Sequence, residues 1–205
     1  MKNFLDKQFN HLKIHTQYSI CEGALKISNF AMHCKENKIQ SAAITDSNNL
    51  FGALEFSEAL AKVGTQPIVG LLLNIKHEKV YGKITLFAKT IQGYKNLIAL
   101  SSKSYLDIKE DDIPHCTVDD LYKYSSGIII LSGCVDGFFG SLFKKNKTND
   151  ISNIFQSLKK NLKDNFYLEI QRHNDEDEKI FENFLLKMSS DFKIPIIATQ
   201  EVFYI

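Results

Sequence analysis

The run Ser41-Ala42-Ala43-Ile44-Thr45-Asp46, followed by Phe56, Ala59, Leu60 and Val63 and closed by Gly64 and Pro67, decides how this chain folds. Residues 41–45 form a short apolar run, which suits a strand covered on both faces. Phe56, Ala59, Leu60 and Val63 recur at helical spacing and share one face. Gly64 ends that helix and Pro67 opens the next strand. The unit is strand, helix, strand, and the pattern repeats. Further strand-like runs lie at 10–15, 67–75, 83–88, 127–132, 165–170 and 194–199. Between them stand helical stripes: Ile27, Phe30, Ala31 and Cys34; Ile151, Ile154, Phe155, Leu158 and Leu162; Phe181, Phe184, Leu185 and Met188. Thr117 with Asp120 has the spacing of a capping box ahead of a short helix. The run 175–178 reads as an acidic helix start, and 144–149 as a solvated loop. Repeated β-then-α units predict a mostly parallel sheet. Seven strands are nearly enough to close it into a barrel.

The length suits one large domain or two small ones, and the composition is ordinary for a globular protein. A chain of 205 residues buries about 70 % of its unfolded surface without staples. Apolar residues make up 44 % and charged residues 24 %, which excludes a disordered chain. No apolar run approaches the roughly 18 residues that span a bilayer, and 1–6 does not read as a secretory signal. The expectation is a cytoplasmic protein with no membrane partner. Its four cysteines, Cys21, Cys34, Cys116 and Cys134, form no C-x-x-C pair and are expected as free thiols. Net charge is +1, so there is no global basic footprint for nucleic acid. Residues 1–102 do hold twelve lysines against seven acids, and the remainder is acidic. Arg172 is the only arginine, which argues against direct phosphate reading by this segment.

In a parallel barrel, chemistry gathers at the C-terminal ends of the strands. His15 follows the first strand, Asp46 the second, Cys134 the fifth and His173 the sixth; Gln200 and Glu201 follow the last. Each is weak alone, since an Asp after a strand is often a helix cap. Together, His15, Asp46, Cys134 and His173 could close one tetrahedral zinc site.

These residues also carry a resemblance. Phe9-Asn10-His11-Leu12-Lys13-Ile14-His15-Thr16-Gln17-Tyr18-Ser19-Ile20-Cys21-Glu22-Gly23-Ala24 resembles the opening motif of PHP (polymerase and histidinol phosphatase) domains. Ala43-Ile44-Thr45-Asp46-Ser47-Asn48-Asn49-Leu50-Phe51-Gly52-Ala53-Leu54-Glu55-Phe56 resembles the next motif of the family. Pro67-Ile68-Val69-Gly70, Leu131-Ser132-Gly133-Cys134, Tyr167-Leu168-Glu169-Ile170-Gln171-Arg172-His173 and the stretch 195–204 follow in family order. The variety is the one at the N-terminus of bacterial replicative DNA polymerase III alpha subunits. The resemblance implies an α/β fold, a distorted TIM-like β/α barrel of about seven strands. It implies that 1–205 is a single PHP domain, truncated before a polymerase core that would extend DNA with magnesium. Active members of the family hold up to three metal ions for phosphoester hydrolysis, in which one ion generates hydroxide and others clamp phosphate oxygens.

Against that pattern the ligand ring is broken. His15, Asp46, Cys134 and His173 match family ligands, and Glu201 stands where the family has Asp. Lys13, Ser47, Leu72, Lys83 and Phe203 replace the other ligands. A lysine ammonium about 4 Å from a unit positive charge costs about 4 kcal/mol at an effective dielectric of 20, and a divalent ion doubles that. The expectation is therefore a degenerate site with no catalytic residues in this segment and at most one residual zinc. Lys13 and Lys83 would point into it and pair with Asp46 or Glu201. The domain would act as a scaffold that braces the rest of the alpha chain, docks the proofreading exonuclease subunit and meets DNA only through the parent chain. The alternatives are an active metal-dependent phosphoesterase or 3′–5′ exonuclease built on the surviving ligands, and a barrel retained purely for folding.

Overall fold

The computed structural model describes residues 9–109 and 112–204. The stretch 1–6, read above for signal character, and Ile205 lie outside the described residues. The strands are β1 (Lys13–Ile14), β2 (Ser41–Ile44), β3 (Gln66–His77), β4 (Val80–Ala88), β5 (Cys116–Thr117), β6 (Ile128–Leu131), β7 (Phe166–Ile170), β8 (Ile196–Ala198) and β9 (Glu201–Val202). The helices are α1 (Ile27–Glu36), α2 (Ala53–Lys62), α3 (Ile91–Leu106), α4 (Val118–Lys123), α5 (Phe138–Lys144), α6 (Thr148–Leu162) and α7 (Glu176–Phe192).

The main sheet runs β2-β3-β4-β6-β7-β8, with β5 added beside β3. β1 lies between β2 and β9: the Ala43 N–H donates to the His11 carbonyl at 2.9 Å, and the His15 N–H to the Val202 carbonyl at 2.8 Å. The run 196–202 pairs first with β7, as β8, and then with β1, as β9. Backbone pairing thus returns to its starting strand, giving a distorted α/β barrel of seven positions.

The expectation of a mostly parallel sheet needs one correction. β4 runs antiparallel to both of its neighbours, β3 and β6. Only Glu78 and Lys79 separate β3 from β4. A parallel crossover takes a dozen or more residues, so two residues can only form a hairpin. β5 and β9, two residues each, were also not anticipated.

Alternation divides the strands between two environments. Ile84, Leu86, Ile128, Ile130, Phe166 and Leu168 point outward into a core shared with the later helices. Ile14, Ala42 and Ile44 point into a second core beneath α1 and α2. Ala43, Phe87 and Leu131 form a small apolar plug, with Ile68, Tyr167 and Ile197 against it, on the strand faces turned into the ring. Two residues further along these inward faces the side chains become polar: Lys13, Thr85 and Glu169 are all buried there. The helical stripes at Ile27, Ile151 and Phe181 lie in these cores as expected. Thr117 and Asp120 form the capping box, and Asp175 caps α7. Of the run 144–149 expected as a loop, 145–147 form the link between α5 and α6, while Lys144 ends α5 and Thr148 and Asn149 open α6.

α3, sixteen residues long, left no stripe in the sequence. Its buried face is Gly93, Asn96, Leu97, Leu100 and Ser104, small or polar at three of five positions. Gly93 is there because the helix touches backbone: a Cβ on it would lie 1.8 Å from the Gly127 carbonyl oxygen.

Candidate functional site

The strand ends open into a cleft of about 460 Å³ whose walls include Lys13, His15, Leu72, Lys83, Cys134 and Glu201. Its most buried element is an ion-pair cluster. Lys13 on β1 points into the ring, since Ile14 beside it faces the outer core. Its Nζ lies 3.3 Å from Glu169 Oε1 and 3.2 Å from Glu201 Oε1. The Lys13 and Glu169 side chains are 4 % and 0 % exposed. Burial alone would discharge the ammonium, but the two carboxylates outweigh it and hold the Lys13 pKa above the ordinary lysine value. Burial works against Glu201 too, yet the His15 hydrogen bond and the Lys13 charge pull its pKa down to about 2.

His15 connects this cluster to a second one. Its Nε2 lies 3.1 Å from Glu201 Oε1, and its Nδ1 lies 3.3 Å from Ser19 Oγ. Phe203 stacks on the imidazole at 4.5 Å and 8°. Ser19 Oγ donates to Asp46 Oδ1 at 2.6 Å. Asp46 also accepts from the Thr16 N–H and the Thr16 hydroxyl, each at 2.7 Å. A polar chain therefore runs Glu169–Lys13–Glu201–His15–Ser19–Asp46 across the mouth of the barrel.

The other substituted positions make a smaller, wetter group. Lys83 Nζ donates to Glu22 Oε1 at 2.8 Å and to Ser47 Oγ at 3.3 Å, while the Ser47 hydroxyl donates to Glu22 Oε2 at 2.5 Å. Burial would raise the Glu22 pKa, but these two partners bring it below the usual carboxylate value. Leu72 is 3 % exposed and presents apolar volume to the cleft.

Of the four candidate ligands, the structure brings His15 and Cys134 to the cleft and leaves the others apart from it. Asp46 sits behind His15, its oxygens occupied by Thr16 and Ser19, and no lysine among the described residues pairs with it; Lys13 takes Glu201 as expected, whereas Lys83 pairs with Glu22 and with neither expected partner. His173 stands at the start of α7, where its ring Nδ1 lies 2.6 Å from Glu178 Oε1 and its N–H donates to Glu178 Oε2 at 2.6 Å. His173 Nε2 faces Gln200 Nε2 at 3.1 Å. Among the described residues no three His, Cys, Asp or Glu side chains form a group able to hold a metal ion. Cys134 lies near Lys13, which favours its thiolate, but burial dominates and raises its pKa. Arg172, the single arginine, is forked onto Glu182 at 3.0 and 2.6 Å.

Sequence reasoning missed Glu169 and Glu22. Glu169 carried a readable signal: a carboxylate inside a strand covered on both faces needs a partner of opposite charge. Its Oε1 also accepts from Thr199 Oγ1 at 2.5 Å, and its Oε2 has no hydrogen-bond partner. Glu22, in the turn after Ser19, carried only its place in the opening motif quoted above.

Comparison with known proteins bears on the family and the fold. The PHP domain family matches residues 11–173. The DNA polymerase III subunit alpha of Borreliella burgdorferi is 36 % identical over 97 % of this chain, which covers 18 % of that protein. The same subunit of Rickettsia conorii is 34 % identical over 96 % of the chain and 17 % of the relative. The chain thus spans less than a fifth of the length of these curated relatives. Among solved structures, a candidate metal-dependent phosphoesterase from Bifidobacterium adolescentis superposes with a TM-score of 0.66 at 11 % identity, covering 95 % of this chain and 87 % of that one. An amidohydrolase from Chromobacterium violaceum gives 0.58 at 9 % identity, with the same coverage. At such identities these likenesses speak for the fold alone. No helix among the described residues is long and apolar enough to cross a membrane.

Proposed function

The chain belongs to the PHP domain family, and from that premise we propose that it is the N-terminal domain of a replicative DNA polymerase III alpha chain and serves there as a non-catalytic scaffold. DNA synthesis with magnesium belongs to the parent chain. The domain's own work is to brace that chain and to dock a proofreading exonuclease subunit.

One observation carries the reading. The Lys13 ammonium lies buried between Glu169 and Glu201, at the position where the family motif has a metal-binding histidine. The donor set does not fit a multi-metal site. Lys13 offers no lone pair as an ammonium, engages the two carboxylates that a cation would need, and repels an incoming dication. Leu72 offers an apolar wall in place of a bridging carboxylate. Asp46 and His173 are already satisfied by Thr16, Ser19 and Glu178.

The second reading, a metal-dependent phosphoesterase or 3′–5′ exonuclease, draws on His15, Cys134 and Glu201 lining one cleft. Elemental mass spectrometry after dialysis against zinc and manganese separates the two. The scaffold reading expects less than one equivalent, or at most one zinc that disappears with Cys134→Ser. Two or more equivalents, with DNA hydrolysis abolished by His15→Ala, would establish the enzyme instead. Co-purification of the exonuclease subunit with the alpha chain, lost on deleting this domain, tests the docking role.

A further inference from the structure

α3, the helix whose pattern the sequence concealed, buries Leu97 and Leu100 and carries its other large apolar side chains outward. Ile91, Tyr94, Ile98 and Tyr105 are between 37 and 79 % exposed. Their spacing of three, four and seven residues is that of a and d positions in a heptad, the seam along which two helices interlock. A solvated helix would carry charge on that face. The only charged residues of α3 are Lys95 and Lys103, and it has no carboxylate. Lys103 is engaged by Asp107 and Asp120. Between Ile98 and Tyr105 lie Ser101 and Ser102, small enough for another backbone to come close. Ser101 also donates to the Asn48 carbonyl at 2.9 Å, which ties this part of α3 to the barrel.

We propose that the Ile91–Tyr94–Ile98–Tyr105 seam is covered by an α-helix of the same polypeptide, from the part that the polymerase alpha relatives possess outside this region. The proposal rests on the reading that the domain belongs to such a chain. The heptad spacing selects a helix as the occupant. Lys95 beside the seam, with no acid on the helix, selects an apolar stripe flanked by Asp or Glu. Size selects a tethered occupant over a second molecule. A stable interface between separate proteins buries about 800 Å² per partner with roughly 20–30 residues a side. One seam of four side chains along a helix about 24 Å long falls well short of that. A helix on the same chain meets the seam at an effective concentration in the millimolar range, where a contact this small suffices.

The test uses the full-length alpha chain of the source organism. Ile98→Cys places a thiol in the seam, and Asp164→Cys places one at a fully exposed reference position. Maleimide labelling is followed by peptide mass spectrometry, which separates these sites from the natural cysteines. The expected result is labelling at least tenfold slower at position 98 than at 164 in the native chain, equalised in urea. A benzophenone maleimide carried on Ser102→Cys then marks the occupant, expected as a helical peptide of the same polypeptide. Equal labelling of both sites in the native chain overturns the proposal, as does a cross-link to a second copy or to another subunit. If the native gene product is a free 23 kDa protein, the polymerase reading and this inference fall together. A full-length polymerase with an open position 98 overturns only the inference.

Discussion

Lys13 and Lys83 reach the same cleft from β1 and β4, and they carry their charge in opposite ways. Lys13 is enclosed, with two carboxylates within 3.3 Å and almost no solvent. Lys83 is about a third exposed, with Glu22 and the Ser47 hydroxyl for company. Water can replace Glu22 at Lys83, whereas nothing can replace Lys13 between Glu169 and Glu201. The energetic weight of the mouth therefore lies on the β1–β7–β9 side, although the sequence marks both lysines as equivalent departures from the family pattern.

That asymmetry can be broken by substitution. Lys13→Met should have the largest effect, about 3–5 kcal/mol of lost stability, because it strands buried carboxylate charge. Urea unfolding checks it, and a loss comparable to that of Lys83→Met would erase the distinction between the two sides. Asp46→Ala should follow, at about 2–3 kcal/mol, since the Thr16 N–H and the Thr16 and Ser19 hydroxyls lose a charged acceptor. The same titration measures it. Acid comes next. The folded pKa of Glu201 lies below its unfolded value near 4.5, so its contribution is complete above that pH and is lost as pH falls through about 2. Unfolding midpoints measured from pH 6 to 2 should decline over that window, and Lys13→Met should flatten the decline. Lys83→Met should be the mildest, within about 1 kcal/mol for a pair this accessible. A larger loss would mean that Glu22 and Ser47 are braced by Lys83 more firmly than their exposure suggests.

Much of the barrel was legible because its strands and most of its helices bury apolar side chains at the period of their own backbone. The stripes at Ile27, Ile151 and Phe181 are of this kind. α3 was hidden because glycine, asparagine and serine hold three of its five buried positions while Ile91, Tyr94, Ile98 and Tyr105 lie on the outer face, so apolar residues mark no single face. β4 was found but given the wrong direction, although the short link to β3 already excluded a crossover. At the mouth, Lys13 and Glu201 were recognisable by position. Glu169 became visible as their partner only once β7 and β1 were brought face to face, because the contact joins residues with no local relation. Asp46 was located but its partners were not: Thr16 and Ser19 lie in a turn whose hydroxyls have no periodic signature.

The closure of the ring by β8 and β9 sets an order of events. His15 and Glu201, which meet across β1 and β9, are 186 positions apart in the chain. At about 5–20 residues per second of synthesis, β1 would wait roughly 10–40 s for its second neighbour. During that interval the Lys13 ammonium can stay hydrated, and the cost of enclosing it arises only when the last strand docks. The buried ion pair thus behaves as a late latch: it adds nothing to early collapse and forms together with the ring. Pulsed hydrogen exchange during refolding should show the amide of His15, bonded to the Val202 carbonyl, among the last to become protected.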